Sequence, residues 1–501
     1  MSEGASAIAA TAGGSLLPLA ILVPATGVLL SFLLGGRQAQ RIAFGLMPVQ
    51  FVIAIGIASF VWRSGEPVVY LLGGYVPPLG IALRADGFSA VMLVTASLIM
   101  PAAGLYAWVN FSTPRGSTER RGPLVVWTLL QAVQAALSLI FLGGDLFNLY
   151  VALELLTFAA VPLVCLDGRP ETLAAALRYL MFALFGALFY LLGVALLYGA
   201  YGTLDIVLLS ERIRAEPAVW LAAGLMTAGL LAKTALFPLH LWLPPAHANA
   251  PAAASAVLSG LVVKGSFFLI VRLWFNVLPA LPGAVPGTIL ATLGSAAILV
   301  GSTLALRQER LKLMIAYSTV AQIGYLFLMF PLGSGPWAAD AFSGGVMQAL
   351  SHAFAKAAMF LSAGLIAESL GHDRIAGLGG AGRAMPITFL ALGLGGLSLM
   401  GLPPSGGFAA KWLLMKASIA AGQWVWAAVM LAGGLLAGGY LYRALAPALS
   451  GEPPNMKAAP RRSREGVALA LALAAVLLAF APPPFFAFLQ IGCPAASVAL
   501  R

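Results

Sequence analysis

The sequence predicts an all-α polytopic membrane protein of about 14 transmembrane helices, two of them broken, with two inverted five-helix repeats. Three observations predict it. The 501 residues are 61% hydrophobic and only 9% charged, against about 25% charged in a soluble domain, and the mean hydropathy is +0.96. Apolar runs of about 20 residues, the length that crosses a bilayer as a helix, recur along the whole chain. Two of these runs are interrupted near their middles, one by Pro238 in LLAKTALFPLHLWLPP and one by Gly401-Leu402-Pro403-Pro404.

Taken in order, hydropathy places spans at 16–34, 42–62, 86–109, 124–143, 145–166, 173–200, 218–246, 253–279, 285–306, 311–330, 341–369, 384–421, 422–447 and 466–489. The stretch 68–80 reads as a loop or hairpin. The opening MSEGASAIAATAGGS has no basic segment before the first apolar run, so that run reads as a retained helix and not as a cleaved signal. Proline inside a helix removes a hydrogen bond and clashes with the preceding turn. In lipid such a break is tolerated only where protein or a water-filled cavity takes up the freed backbone groups. The two breaks fall five spans apart, and an odd offset turns the second unit over relative to the first. The expected organisation is therefore N-terminal helices over 1–123, a first repeat over 124–279, and a second repeat over 280–447. A cytoplasmic loop and a last helix follow over 448–501. Abundant glycine, 56 residues, suits close helix packing.

The net charge of +11 could suggest a nucleic-acid partner, but its distribution excludes that reading. With the N-terminus outside, the inner loops hold Arg37, Arg41, Arg115, Arg120, Arg121 and Arg169. They continue with Arg307, Arg310, Lys312, Arg374, Arg383, Arg443, Lys457, Arg461, Arg462 and Arg464. The outer loops hold Arg63, Arg84, Arg212, Arg214 and Arg501. That asymmetry is the one expected of a multi-pass protein of a cell inner membrane, here with both termini outside.

Charged side chains at membrane depth are expensive, about 2.5 kcal/mol or more each, so those far from any loop stand out. Glu154 sits in the middle of DLFNLYVALELLTFAAVPLV and needs a cationic partner or a proton. Lys233 lies five residues before Pro238. Lys264 is mid-span, with Ser255 and Ser259 on the preceding turns, whereas Arg272, two turns on, reads as a side chain reaching for the membrane edge. His352 and Lys356 are four residues apart and share a helix face. Lys411 follows the second break by two turns, mirroring Lys233. Lys416 reads as interfacial, His240 as either lining the cavity at the break or capping the half-helix, and His247 and His372 as loop residues. A static ion pair would serve to lock helices together; a series of tunable groups serves proton hopping. The expected site is Glu154, Lys233, Lys264, His352, Lys356 and Lys411. The two cysteines, Cys165 and Cys493, form no metal or disulfide pattern. No dinucleotide, flavin or iron–sulfur motif is present, so no cofactor, no metal and no redox chemistry are expected in this chain.

At these residues the sequence resembles the antiporter-like subunits shared by respiratory complex I and Mrp-type cation/proton antiporters. The resemblance is carried by DLFNLYVALELL, AKTALFPLHLWLPPAHANAPAAASAVLSGLVVKGSFFLIVRL, RLKLMIAYSTVAQIGYLFL, SHAFAKAAMFLSAG and GLPPSGGFAAKW, in that order, over about 124–447. It implies 14 helices, two inverted repeats with a half-channel each, and a hydrophilic axis along the membrane midplane. It maps the family's glutamate onto Glu154, its broken-helix lysine onto Lys233 and its central lysine onto Lys264. The paired histidine and lysine fall on His352 and Lys356, and the outlet residue on Lys411. Where the family often has a lysine in its sixth helix this chain has Arg178, which does not readily release a proton. Length and the AHANAPAAASAVLSGLVVK stretch look most like the D-type member of the Mrp antiporters. That implies work among other membrane subunits and exchange of protons for Na+ or K+. A proton-pumping subunit of complex I or of a membrane-bound hydrogenase is the alternative, and a subunit energising inorganic-carbon uptake a further one.

Overall fold

The computed structural model describes residues 9–112 and 121–493. Both chain ends, and with them Arg501, fall outside the described residues, as do Arg115 and Arg120. Among the described residues, thirteen helices are long and apolar enough to cross a membrane. The expected span 384–421 divides into Pro386–Met400 and Gly406–Ala420, each too short to cross alone. The expected span 218–246 likewise stops at Thr234, and a short helix, Leu243–Asn249, follows. The stretch 68–80 opens an antiparallel hairpin of β1 (Val68–Leu71) and β2 (Ala82–Ala85).

The connecting loops sort onto two faces. On one face Leu311 N–H donates to Asp373 O at 2.7 Å, Lys457 N–H to Ser369 O at 2.7 Å, and Arg464 pairs with Glu368 at 2.5 Å. On the other, Gly144 N–H donates to Ala82 O in the hairpin and Gly87 N–H to Ile491 O, both at 3.1 Å. Arg310, Arg374, Lys457 and Arg464 thus gather on the first face, and Arg84 lies on the second.

Helix Ala338–Leu370 runs through the interior, its 18-residue apolar window wholly buried; the same holds for helix Ala252–Val277. Both carry alanine, serine and glycine where other helices press on them, as membrane helices that pack closely do. Helices Pro170–Tyr201 and Pro217–Thr234 approach until their backbones touch. A Cβ on Gly229 would lie 2.2 Å from Gly186 O, and one on Gly186 would lie 2.5 Å from Gly229 O. Gly229→Val is therefore expected to force the two backbones apart and to destabilise by about 1–3 kcal/mol. The midpoint of thermal denaturation in detergent measures it.

Candidate functional site

The first lysine is placed by a helix end. Helix Pro217–Thr234 stops where Ala235 takes the left-handed conformation, φ 59°. Lys233 stands in its last turn and is 7% exposed. Its ammonium donates to Glu154 Oε1 and to Thr157 Oγ1, each at 2.8 Å, and to Leu153 O at 3.4 Å. Glu154 and Thr157 share one face of helix Leu146–Val164, three residues apart. The break is braced from outside the relay: Trp242 Nε1 donates to Ala232 O at 2.9 Å, and the Trp242 ring stacks on Tyr179 at 4.1 Å.

Lys264 is wholly buried. The helix carrying it widens to π geometry over Leu258–Val262, a local bulge of the kind found at functional positions. Lys264 donates to Ser259 O within that bulge. From there Ser259 Oγ meets Thr319 Oγ1 at 3.1 Å, and Thr319 Oγ1 donates to Ile315 O at 3.0 Å. Lys356, also wholly buried, donates to the same Ile315 O at 2.9 Å and to Ser318 Oγ. The two central lysines are therefore linked by way of two residues, Ser259 and Thr319, and two carbonyls, those of Ser259 and Ile315. On the Lys233 side, Thr234 Oγ1 donates to Ser266 Oγ at 2.9 Å, two residues from Lys264.

Gln348, His352 and Lys356 repeat at four-residue intervals and lie on one face of the central helix. Both ring nitrogens of His352 are buried without a protein partner. Beyond it, Gln348 Nε2 donates to Gln322 Oε1 at 3.0 Å and Gln322 Nε2 to Leu399 O at 3.0 Å. Leu399 O also accepts from Lys411 at 2.6 Å, and Met400 O accepts from Lys411 at 3.2 Å. Lys411 reaches back across the second break to carbonyls at the C-terminal, negative end of Pro386–Met400. Its Nζ also lies 4.1 Å from the centre of the Tyr325 ring, a cation–π contact. Span Leu311–Leu332 contains no carboxylate, so Lys411 lacks the kind of partner Glu154 gives Lys233.

The six expected residues lie in three polar groups: Glu154 with Lys233, Lys264 with Lys356 by way of Ser259 and Thr319, and Lys411 with Gln322 and Gln348. His352 stands between the last two on the central helix, its ring nitrogens without a protein partner. Sequence reasoning passed over the residues between them: Thr157, Ser266, Ser318, Thr319, Gln322 and Gln348. Two placements differ from expectation. His247 is not in a loop. It is wholly buried in Leu243–Asn249, stacked on Phe360 at 4.9 Å, with neither ring nitrogen partnered by protein. Arg272 stands near the hairpin end of its helix, as expected, but does not reach out to the surface; it is tied into a buried pair with Asp86. Lys312, counted as a loop charge, donates to Ala250 O at 3.0 Å and lines an open cavity of about 560 Å³ with Asn110, Arg169 and Asn249. His240 lines a cavity of about 280 Å³ with Arg178 and Tyr317, which favours the cavity reading. Lys416 pairs with Asp340 at an exposed helix end, as expected.

Helices broken beside lysines, with buried amines, hydroxyls, amides and an imidazole gathered between them, are the features of a membrane protein with ionisable groups in its interior. The family model described as NADH:quinone oxidoreductase/Mrp antiporter, TM, matches residues 143–437, and the chain belongs to that family. It is 37% identical over 399 residues to the N-type subunit of the NADH-quinone oxidoreductase of Desulforudis audaxviator, covering 78% of this chain and 77% of the relative. It is 30% identical over 427 residues to the D-type subunit of the Na(+)/H(+) antiporter of Alkalihalophilus pseudofirmus, covering 84% of each. A chain of the Mrp complex from Dietzia sp. DQ12-45-1b superposes with a TM-score of 0.87 at 25% identity, covering 98% of both chains.

Proposed function

We propose that the chain is a proton-translocating membrane subunit of a multisubunit Mrp-type Na+(K+)/H+ antiporter. The observation that carries this is the Lys233–Glu154 pair at 2.8 Å beside a helix break, at the head of the buried line. While the pair is closed, Glu154 holds the proton on Lys233. When the carboxylate turns away, a charged amine in low dielectric loses its counter-charge and gives up its proton. Thr234 and Ser266 lead that proton toward Lys264. Ser259 and Thr319 lead on to Lys356, and His352 and the glutamines to Lys411. Counted between the amines and the imidazole, each transfer leaves a charged donor neutral and a neutral acceptor charged, the hydroxyls between giving up one proton as they take another, so one proton advances with no net change in the chain. His247, wholly buried with neither ring nitrogen partnered by protein, is a further acceptor in this reading.

In this reading the segments 124–279 and 280–447 are the two inverted units, each with one broken helix. The chain sits in the cell inner membrane with its arginine-rich face inward and both ends outside, among other membrane subunits. The 37% likeness to a subunit of an NADH-quinone oxidoreductase favours a second reading, in which a redox partner drives the same line.

The test is ΔpH in everted vesicles from cells making the chain with its partner subunits. Added Na+ is expected to collapse the gradient in wild type and not in Lys233→Ala. A wild-type response in Lys233→Ala, with the protein inserted at normal level, overturns the proposal. A gradient that forms on adding NADH and ignores Na+ selects the second reading.

A further inference from the structure

Lys264, Phe268 and Arg272 stand at four-residue intervals on one face of helix Ala252–Val277, covering about 12 Å along its axis. The proposed line leaves Lys264 toward Ser259, away from this stretch. Phe268 is 1% exposed, and its ring lies 4.7 Å from Phe88 and 5.1 Å from Phe141, so the first turn beyond the amine is dry and aromatic. Next stands the Arg272 guanidinium, 4.7 Å over the Phe268 ring.

Arg272 is held in a fork. Its two terminal nitrogens donate to the two oxygens of Asp86, one of them at 2.7 Å, and also to Ser89 Oγ at 2.8 Å and Asn276 Oδ1 at 3.2 Å. The side chains are 11% and 3% exposed. Asp86 is fixed in turn, since it caps helix Gly87–Ala107 through Ser89 N–H at 2.9 Å. On the far side of this pair, a cavity of about 210 Å³ lies beside the hairpin, lined by Arg84, Gly144, Asp205, Ser210, Arg272 and Asn276. The order from the interior outward is therefore amine, phenyl plug, ion pair, polar vestibule. The helix turns to π geometry again at Arg272–Val277, so the plug lies between two segments of altered winding.

We propose that Phe268 and the Asp86–Arg272 pair are the seal that keeps Lys264 from exchanging protons with the hairpin face. The inference rests on the proposed relay through Lys264. A buried fork with both charges satisfied holds its geometry, and removing one partner leaves the other charge buried and drawing water. In Asp86→Asn, water from the vestibule reaches the ring, and Lys264 becomes open to both faces. In Phe268→Ala the pair stays and the plug goes. Both changes turn a one-sided carrier into a leak.

The experiment is passive proton conductance of vesicles bearing the chain with its partner subunits, under an imposed pH step with no Na+ and no electron donor. Asp86→Asn and Phe268→Ala are each expected to raise conductance at least tenfold over wild type. Adding Lys264→Met to either is expected to return it to the wild-type level. Arg272→Lys, which keeps the charge, is expected to leak less than Arg272→Gln. Wild-type conductance in Phe268→Ala, inserted at normal level, overturns the seal, and so does a leak that survives Lys264→Met. If Asp86→Asn fails to insert, Phe268→Ala alone decides. Coupled transport retained in Lys264→Met by itself overturns the relay instead, so the two failures are told apart.

Discussion

Lys264→Met is expected to abolish proton movement, with coupled transport at least a hundredfold below wild type, in a protein that still inserts and assembles. Methionine keeps the length and flexibility of the lysine stem and fills the same buried space. It removes the amine that donates to Ser259 O, and nothing else near that point titrates on the same helix. A hundredfold loss corresponds to about 2.7 kcal/mol on the barrier, which interruption of a single-file transfer readily supplies. Stability should hold or rise, because the wholly buried lysine makes no ion pair among the described residues and its replacement ends an unfavourable burial. Loss of transport with gain of melting temperature separates a relay role from a packing role. An equal fall in both would assign Lys264 to structure.

The opposite pattern is expected at the pair. Glu154→Gln leaves Lys233 as a buried cation without a counter-charge, which costs about 3–5 kcal/mol when the charge is retained. Lys233 can shed its proton, so the loss of stability is expected at the lower end, about 3 kcal/mol, with transport falling at least tenfold. Lys233→Met, by contrast, leaves a Glu154 that is 15% exposed and nearer to solvent, a smaller penalty. The double variant should recover most of the stability lost in Glu154→Gln and none of the transport. A double-mutant cycle on melting in detergent gives the coupling energy directly. Additivity of the two single changes would mean that the 2.8 Å contact contributes nothing, and that Glu154 acts on some other group.

These residues were legible in the sequence for one reason: a charge inside an apolar run is costly and therefore conspicuous. Glu154, Lys233, Lys264, Lys356 and Lys411 needed no structure to be noticed. The breaks were legible too, because proline and glycine mark them. What joins the charges was not. Thr319, Gln322 and Gln348 are uncharged polar residues in largely apolar helices, no different in sequence from Thr128, whose hydroxyl is buried without a partner. Only the packing of separate helices selects which of them meet. The pairing of Arg272 was missed because its partner Asp86 lies 186 residues away. His247 was misread because it falls between the apolar runs 218–246 and 253–279, beside Pro244, Pro245 and Pro251. In fact Pro244 and Pro245 sit in the first turn of a short helix, where proline is accepted, and that helix packs against Phe360.

The Gly186–Gly229 contact bears on what is free to move. Backbones that touch at 2.2 Å from a would-be Cβ lock by shape, and a helix so held neither pistons nor rocks against its neighbour. The Lys233 backbone is thereby anchored on one side, and the Trp242–Tyr179 stack anchors the chain just past the break. What is left to travel is the lysine's own four-carbon stem and the carboxylate opposite it. In the proposed relay the switching part of this half is then a pair of side-chain rotamers, a smaller displacement than the rigid-body swing of a helix. In that relay the chain works less as a rocking carrier than as a wire with one loose contact.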